Sequence, residues 1–249
     1  MRFLQEIKMG DSTIAERLQE IKDQIKNVEI ASGRKEGCVR LCAVSKFHPL
    51  ESVVEAMRAN QFLFGENRVQ EAFEKFTEIR ERFSPEENKA ELHIIGSLQS
   101  NKVKKAVSIA SCIQSVDREE LLAEIEKQCA KLEKDIEIYF ELHTGEDSKA
   151  GYESLDALLK SVELCAKGNF PHIKPRGLMT MAPFVDDEAR IRKSFSLLRE
   201  AKEKINSEFP SLKITELSMG MSGDFKIAIE EGSTMVRIGT AIFGEREYK

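Results

Sequence analysis

Residues 213–241, KITELSMGMSGDFKIAIEEGSTMVRIGTA, hold two short apolar runs with a helical stretch between them. KITELSM (213–219) and TMVRIG (234–239) read as strands, and the apolar spacing at 225–231 reads as a short helix. Working back along the chain, the same alternation recurs. Strand-like runs appear at VRLCAVS (39–45), QFLFGE (61–66), ELHIIGS (91–97), SCIQSV (111–116), DIEIYFELH (135–143) and KPRGLMTM (174–181). Helical spacing follows each, at 49–59, from 67 into the early eighties, in SNKVKKAV (100–107), through Leu121, Leu122 and Ile125, through Leu155, Leu158, Leu159 and Val162, and at 187–207. The pair at 213–241 brings the strand count to eight. Eight strands, each followed by a helix, predict an α/β fold: a single parallel (β/α)8 TIM barrel. A doubly wound open sheet is the competing architecture. It would be expected to carry a Gly-x-Gly-x-x-Gly turn after its first strand, and none is present.

An extra helix precedes the barrel pattern, at about 12–32. Ile14, Leu18, Ile21, Ile25 and Val28 share one face, Thr13 with Glu16 forms a capping-box signature, and Gly33 is a plausible stop. Asp117 followed by Glu120 predicts a cap for the helix after the fourth strand. The charged stretch SPEENKAE (84–91) reads as a surface loop. With no linker or low-complexity segment, residues 1–249 read as one domain.

Composition excludes several function classes. Hydrophobic residues make up 41%, enough for a core, and charged residues 33%, against a usual value of about 25%. The 38 Lys+Arg against 43 Asp+Glu leave a net charge of −5, unlike a dedicated nucleic-acid binder that neutralises phosphates. No apolar run reaches the roughly 18 residues of a membrane span. The opening MRFLQEIKMGDS lacks the features of a secretory signal. Five scattered cysteines, Cys38, Cys42, Cys112, Cys129 and Cys165, have no Cys-x-x-Cys spacing and read as reduced thiols in a cytoplasmic protein.

Active sites of such barrels lie at the carboxyl ends of the strands. Lys46 ends the first strand, its stem among apolar groups, where burial would favour the neutral, nucleophilic amine. The other reading is a solvated strand-end lysine. The loop after the seventh strand, Ser218 to Gly223, is rich in small residues and precedes a helix; strand eight runs into Arg237, Ile238, Gly239, Thr240 and Ala241. Both loops suit a phosphate, through backbone N–H groups and the helix start, although glycines there also serve tight turns. A ligand with both an aldehyde and a phosphate would satisfy all three features, and pyridoxal 5′-phosphate (PLP) has both.

The segments AVSK (43–46), FGENRVQE (64–71), HIIGSLQSNK (93–102), GLMTMAPF (177–184), LSMGMSGDF (217–225) and GSTMVRIGTAIFGER (232–246) resemble the PLP homeostasis protein family. Its members are similar to the barrel domain of bacterial alanine racemase. The resemblance covers nearly the whole chain. It implies that Lys46 holds PLP as a Schiff base, that Ser222, Gly239 and Thr240 bind its phosphate, that Arg237 faces the pyridine nitrogen, and that Asn67 lies beside the cofactor. An arginine there cannot give up a proton, so the ring nitrogen stays unprotonated and carbanion chemistry is restrained. The other reading of Arg237 is an ion pair with a barrel carboxylate. The chain departs from the pattern at Arg68, where the family commonly has Tyr, and at Phe47 and His48 after the lysine. Arg68 would bring a second cation to the mouth. His48 either tunes the lysine or is a plain loop histidine.

Weaker candidates read as structure. His93 and His143 have no carboxylate or cysteine at ligand spacing and are expected to satisfy core hydrogen bonds, so no metal site is expected. Met179 with Met181, and Met219 with Met221, read as packing. Lys102, Lys104 and Lys105 read as a solvated helix face. Three functions remain open: a PLP-binding homeostasis protein that holds or delivers the cofactor without turnover, a PLP-dependent racemase, and a cofactor-free lyase using Lys46 on a sugar phosphate. Two-base racemization needs a group on each face of the substrate carbon. With ten residues after Gly239 no second domain is expected, and Tyr139, Tyr152 and Tyr248 are the tyrosines. The carrier is therefore favoured, with apo forms of PLP-dependent enzymes as partners and a monomer ahead of an oligomer.

Overall fold

The first strand, β1 (Arg40–Val44), is followed by α2 (Leu50–Arg58), β2 (Leu63–Glu66), α3 (Val69–Arg82), β3 (Glu91–Ile94) and, after a 3-10 turn at Ser100–Lys102, α4 (Val103–Ile109). Next come β4 (Cys112–Val116), α5 (Glu119–Leu132), β5 (Ile136–Glu141), α6 (Leu155–Ala166), β6 (Ile173–Met179) and α7 (Glu188–Glu208). The chain closes with β7 (Glu216–Ser218), α8 (Phe225–Glu230), β8 (Met235–Ile238) and a short α9 (Thr240–Phe243) that the sequence pattern did not suggest. The extra helix, α1 (Ile14–Ala31), precedes them all. The structure, a computed structural model, describes residues 12–146 and 150–245. Tyr248 and Arg246 lie outside them.

All eight strands pair in parallel in chain order, and β1 pairs with β8 at Cys42↔Arg237 and Ala43↔Ile238, which closes the barrel and removes every edge. Alternation sorts the side chains into two layers. Cys42, Leu63, Cys112, Tyr139, Met179 and Met235 fill the barrel interior. Their outward neighbours, such as Ala43, Phe64, Ile113, Ile138 and Phe140, pack against the helices in the larger core. No helix among the described residues is long and apolar enough to cross a membrane.

The capping box of α1 forms as expected: Thr13 Oγ1 accepts from Glu16 N at 3.2 Å, and Glu16 accepts from Thr13 N at 2.8 Å. Ser32 ends that helix and Gly33 follows it at φ +68°, a value suited to glycine. Two expectations need correction. Asp117 does not cap α5. Arg118 is its N-cap without a side-chain bond, and Asp117 is instead engaged by the Arg118 guanidinium. The seventh strand is three residues long rather than 213–219. Lys213 turns the chain at φ +52°, and the Asn206 amide takes both backbone groups of Ile214, accepting at 2.9 Å and donating at 2.7 Å. Those groups are thereby diverted from the ladder.

Candidate functional site

A cavity of about 500 Å³ opens at the carboxyl ends of the strands. Lys46, Asn67, Ser222, Arg237, Gly239 and Thr240 all line it, as does His48. The loop after β6, from Met181 to Asp186, supplies another wall. Thus the residues expected at one site, from β1, β2, β7 and β8, do meet. Arg68 does not line the cavity; its guanidinium lies 4.7 Å above the Phe47 ring, one residue from Lys46.

The backbone on both sides of Lys46 is clamped by charges. Lys75, on α3, is buried and donates to the Ser45 carbonyl at 2.9 Å and to Glu66 Oε1 at 2.7 Å. Glu66 also accepts from Ser45 Oγ at 2.7 Å, and Glu71 accepts from Phe47 N at 2.6 Å. Glu71 lies 3.2 Å from Lys75, so the network is continuous. Burial pushes the Glu66 carboxyl up, opposed by the Lys75 ammonium. Phe47 sits at φ +66°, a conformation that costs a non-glycine residue on the order of 1–2 kcal/mol and that the Glu71 contact holds in place. The result is a half-buried Lys46 on a fixed backbone.

Asn67 is placed by a close approach. A Cβ at Gly96 would lie 2.6 Å from the Asn67 carbonyl oxygen and 2.7 Å from its Cα, so only glycine lets β3 run this near the β2–α3 turn. Asn67 Oδ1 is buried and has no hydrogen-bond partner among the described residues. Buried polar atoms are nearly always paired, so this one suits a ligand group.

The loops after β7 and β8 form a cradle of donors. The backbone N–H groups of Ser222, Gly223, Gly239 and Thr240 donate to nothing among the described residues, and neither do the Ser222 and Thr240 hydroxyls. All four residues line the cavity. Gly220 turns the first loop at φ +98°, where a Cβ would meet Ala228 Cβ at 2.6 Å. The six-residue α8 contributes less dipole than expected. Asp224 precedes it and its carboxylate accepts from Met221 N at 2.6 Å, which closes the turn.

Arg237 is 4% exposed and makes no ion pair among the described residues, so the ion-pair reading is set aside. Its Nη1 donates to the Ser218 carbonyl at 2.7 Å and to Ser218 Oγ at 2.8 Å, and its Nη2 to the Thr180 carbonyl at 2.8 Å. Neutral partners leave its charge and two of its five N–H groups available. Glu141, buried at the end of β5, is pushed up to about 8 by burial and by Glu146, while Arg237 pulls it down.

The weaker candidates separate. His93 is fully buried and bonds Gln114 at 2.7 Å, as expected of a core histidine, yet Glu91 does lie 3.0 Å away, because strand residues two apart share a face. Met179 and Met219 are packed inside, whereas Met181 and Met221 line the cavity. Lys105 bonds Gln70 on the outer surface at 2.7 Å. Residues that sequence reasoning missed are Glu66, Glu71 and Lys75. Their signal was a buried-strand glutamate followed by an (i, i+4) Glu–Lys pair on the next helix.

The model of the alanine racemase N-terminal domain matches residues 17–247. The pyridoxal phosphate homeostasis protein of Pasteurella multocida is 38% identical over 240 residues, covering 95% of this chain and 99% of that one. The solved structure of PipY from Synechococcus elongatus with PLP bound is 33% identical, with a TM-score of 0.81, covering 93% of this chain and all of that one. Alanine racemase of Clostridium difficile shares the fold at 14% identity and a TM-score of 0.70, over 94% of this chain and 58% of its own. The chain therefore belongs to the pyridoxal phosphate homeostasis proteins, within the alanine racemase N-terminal domain family.

Proposed function

We propose that this chain binds PLP in the cavity at the carboxyl end of the barrel, attached through Lys46, and serves PLP homeostasis by holding the cofactor and passing it to apo-enzymes in the cytoplasm. The observation that carries this reading is the meeting of Lys46 and the unengaged donors of Ser222, Gly223, Gly239 and Thr240 in one cavity of about 500 Å³. Bound PLP supplies an aldehyde for a lysine amine and a phosphate for an anion cradle. Lys46 offers its amine from a clamped backbone. The cradle orients the phosphate through N–H and hydroxyl donors, as backbone nests do. Arg237 would offer a remaining guanidinium N–H to the ring nitrogen, and Asn67 Oδ1 would accept from a group of the cofactor or its water shell.

Holding is favoured over racemization by the tyrosines. Tyr139 is buried in the barrel interior, and burial pushes its phenol far up. The Tyr152 hydroxyl is spent on Ser161 Oγ at 2.8 Å. Neither lines the cavity, so neither can serve a second substrate face.

Purified protein should be yellow, with a visible band abolished by borohydride, a matching mass gain on reduction, and neither in Lys46→Ala. Failure to take up PLP would overturn the reading. Holoprotein incubated with L-amino acids in deuterium oxide should show no Cα exchange; rapid exchange would make it a racemase. Borohydride trapping of a sugar phosphate by cofactor-free protein would make it a lyase.

A further inference from the structure

A single file of hydrogen bonds crosses the barrel from Arg237 to the opposite face. Arg237 Nη1 donates to Ser218 Oγ at 2.8 Å, Ser218 Oγ to Gln114 Oε1 at 2.6 Å, and Gln114 Nε2 to His93 Nδ1 at 2.7 Å. His93 Nε2 then meets Glu91 Oε1 at 3.0 Å, and Glu91 Oε2 accepts from Arg40 at 2.6 Å. Ser218, Gln114 and His93 are wholly buried, so bulk water does not reach a group left without its partner.

Arg237 dictates every proton in this chain. A guanidinium has no acceptor, so Ser218 Oγ must receive from it and direct its own hydrogen onward. That hydrogen needs the Gln114 carbonyl, which turns the amide nitrogen toward His93. The second amide hydrogen reaches Met235 Sδ at 3.2 Å, which agrees with this orientation. His93 Nδ1 must then carry a lone pair, and its Nε2 the proton that goes to Glu91. The charged group touching the ring is Glu91. Tyr139, 6.3 Å away on β5, and Cys112, paired with His93 across β3 and β4, are both kept protonated by burial.

We propose that Gln114, aligned by His93, is a positioning residue for Arg237. By holding the Ser218 hydroxyl with its lone pair toward the guanidinium, it fixes the cation that faces the bound ring. This rests on the reading of the cavity as a PLP site. Of the residues in this hydrogen-bonded file, Arg237 alone lines the cavity, so the role of Gln114 is transmitted through Ser218.

The test compares Gln114→Leu with Gln114→Glu. Leucine preserves volume but gives Ser218 no acceptor. Glutamate keeps that acceptor, and by also accepting at His93 Nδ1 it makes the ring carry both protons. PLP affinity is read by titrating the visible band, and the His93 ring by nitrogen-15 NMR of the PLP-free protein at pH 7.5. PLP binding should weaken about tenfold in Gln114→Leu and stay within about twofold of wild type in Gln114→Glu, the loss being that of one buried hydroxyl's partner. His93 should be protonated on Nε2 alone in wild type and on both nitrogens in Gln114→Glu. If Gln114→Leu does not fold, Ser218→Ala takes its place with the same expected loss. A packing role predicts the reverse, with leucine tolerated and buried glutamate harmful, and that result would overturn the proposal, as would a wild-type proton on Nδ1. Wild type that takes up no PLP would overturn the site reading, while the NMR measurement would still decide the chain.

Discussion

At the scale of single residues, burial makes a few charges matter far more than the rest of a heavily charged surface. Lys75 compensates Glu66 in a site 0% exposed for the glutamate side chain. Lys75→Met should therefore cost about 3–5 kcal/mol of stability, as expected when one partner of a buried pair is removed, and urea denaturation will measure it. A loss below about 1 kcal/mol would mean the pair acts like a surface one. Glu141 makes a pH prediction. Its carboxyl is pushed from an ordinary 4.5 up to about 8, so the folded protein keeps a proton that the unfolded chain has lost between those values. Its contribution to stability is thus greatest below pH 4.5 and falls as pH rises to about 8, by at most about 1.4 kcal/mol per pH unit. Glu141→Gln should remove that slope, with its urea midpoint near wild type at pH 5 and well above it at pH 9. Parallel curves would contradict the burial cause.

At the scale of elements, the site depends on how closely neighbouring turns approach. The end of β3 touches the β2–α3 turn with no room for a side chain at Gly96. Gly96→Ala should push Asn67 out of place and weaken PLP binding by at least about tenfold, since pocket groups displaced by even 1 Å lose much of their effect. Because Gly96 is not at positive φ, the fold itself should survive, and circular dichroism beside a PLP titration separates the two effects. Unchanged affinity would show that the turn yields without moving Asn67.

At the scale of the molecule, the cavity draws its walls from the ends of β1, β2, β3, β6, β7 and β8, so a bound ligand braces most of the closed sheet. PLP at 100 times its dissociation constant should raise stability by about 2.7 kcal/mol, equivalent to about 5–10 °C in Tm for a domain of this size. Lys46→Ala should lose that shift at the same PLP concentration. A shift that persists in full would place the stabilising site elsewhere.

Apart from α9, the order and type of the elements were legible in the sequence, because most strands bury both faces and read as apolar runs, while the longer helices show their own period. That Lys46 and the loops holding Ser222, Arg237, Gly239 and Thr240 share one mouth was legible because strand ends in such a barrel converge, whereas Asn67 was legible only through the family resemblance. The end of β7 was legible to within one residue, at Met219 against Ser218, but its start was not, since Asn206 on the preceding helix competes for Ile214. The clamp on Lys46 and the chain from Arg237 to Glu91 were decided by tertiary structure alone. Their members lie on different strands and helices, and only closure of the barrel brings Gln114 within 2.6 Å of Ser218, 104 residues away. Spacing along a chain reports which face a residue shares with its neighbours; which buried donor finds which acceptor is settled by the packing that excludes water from both.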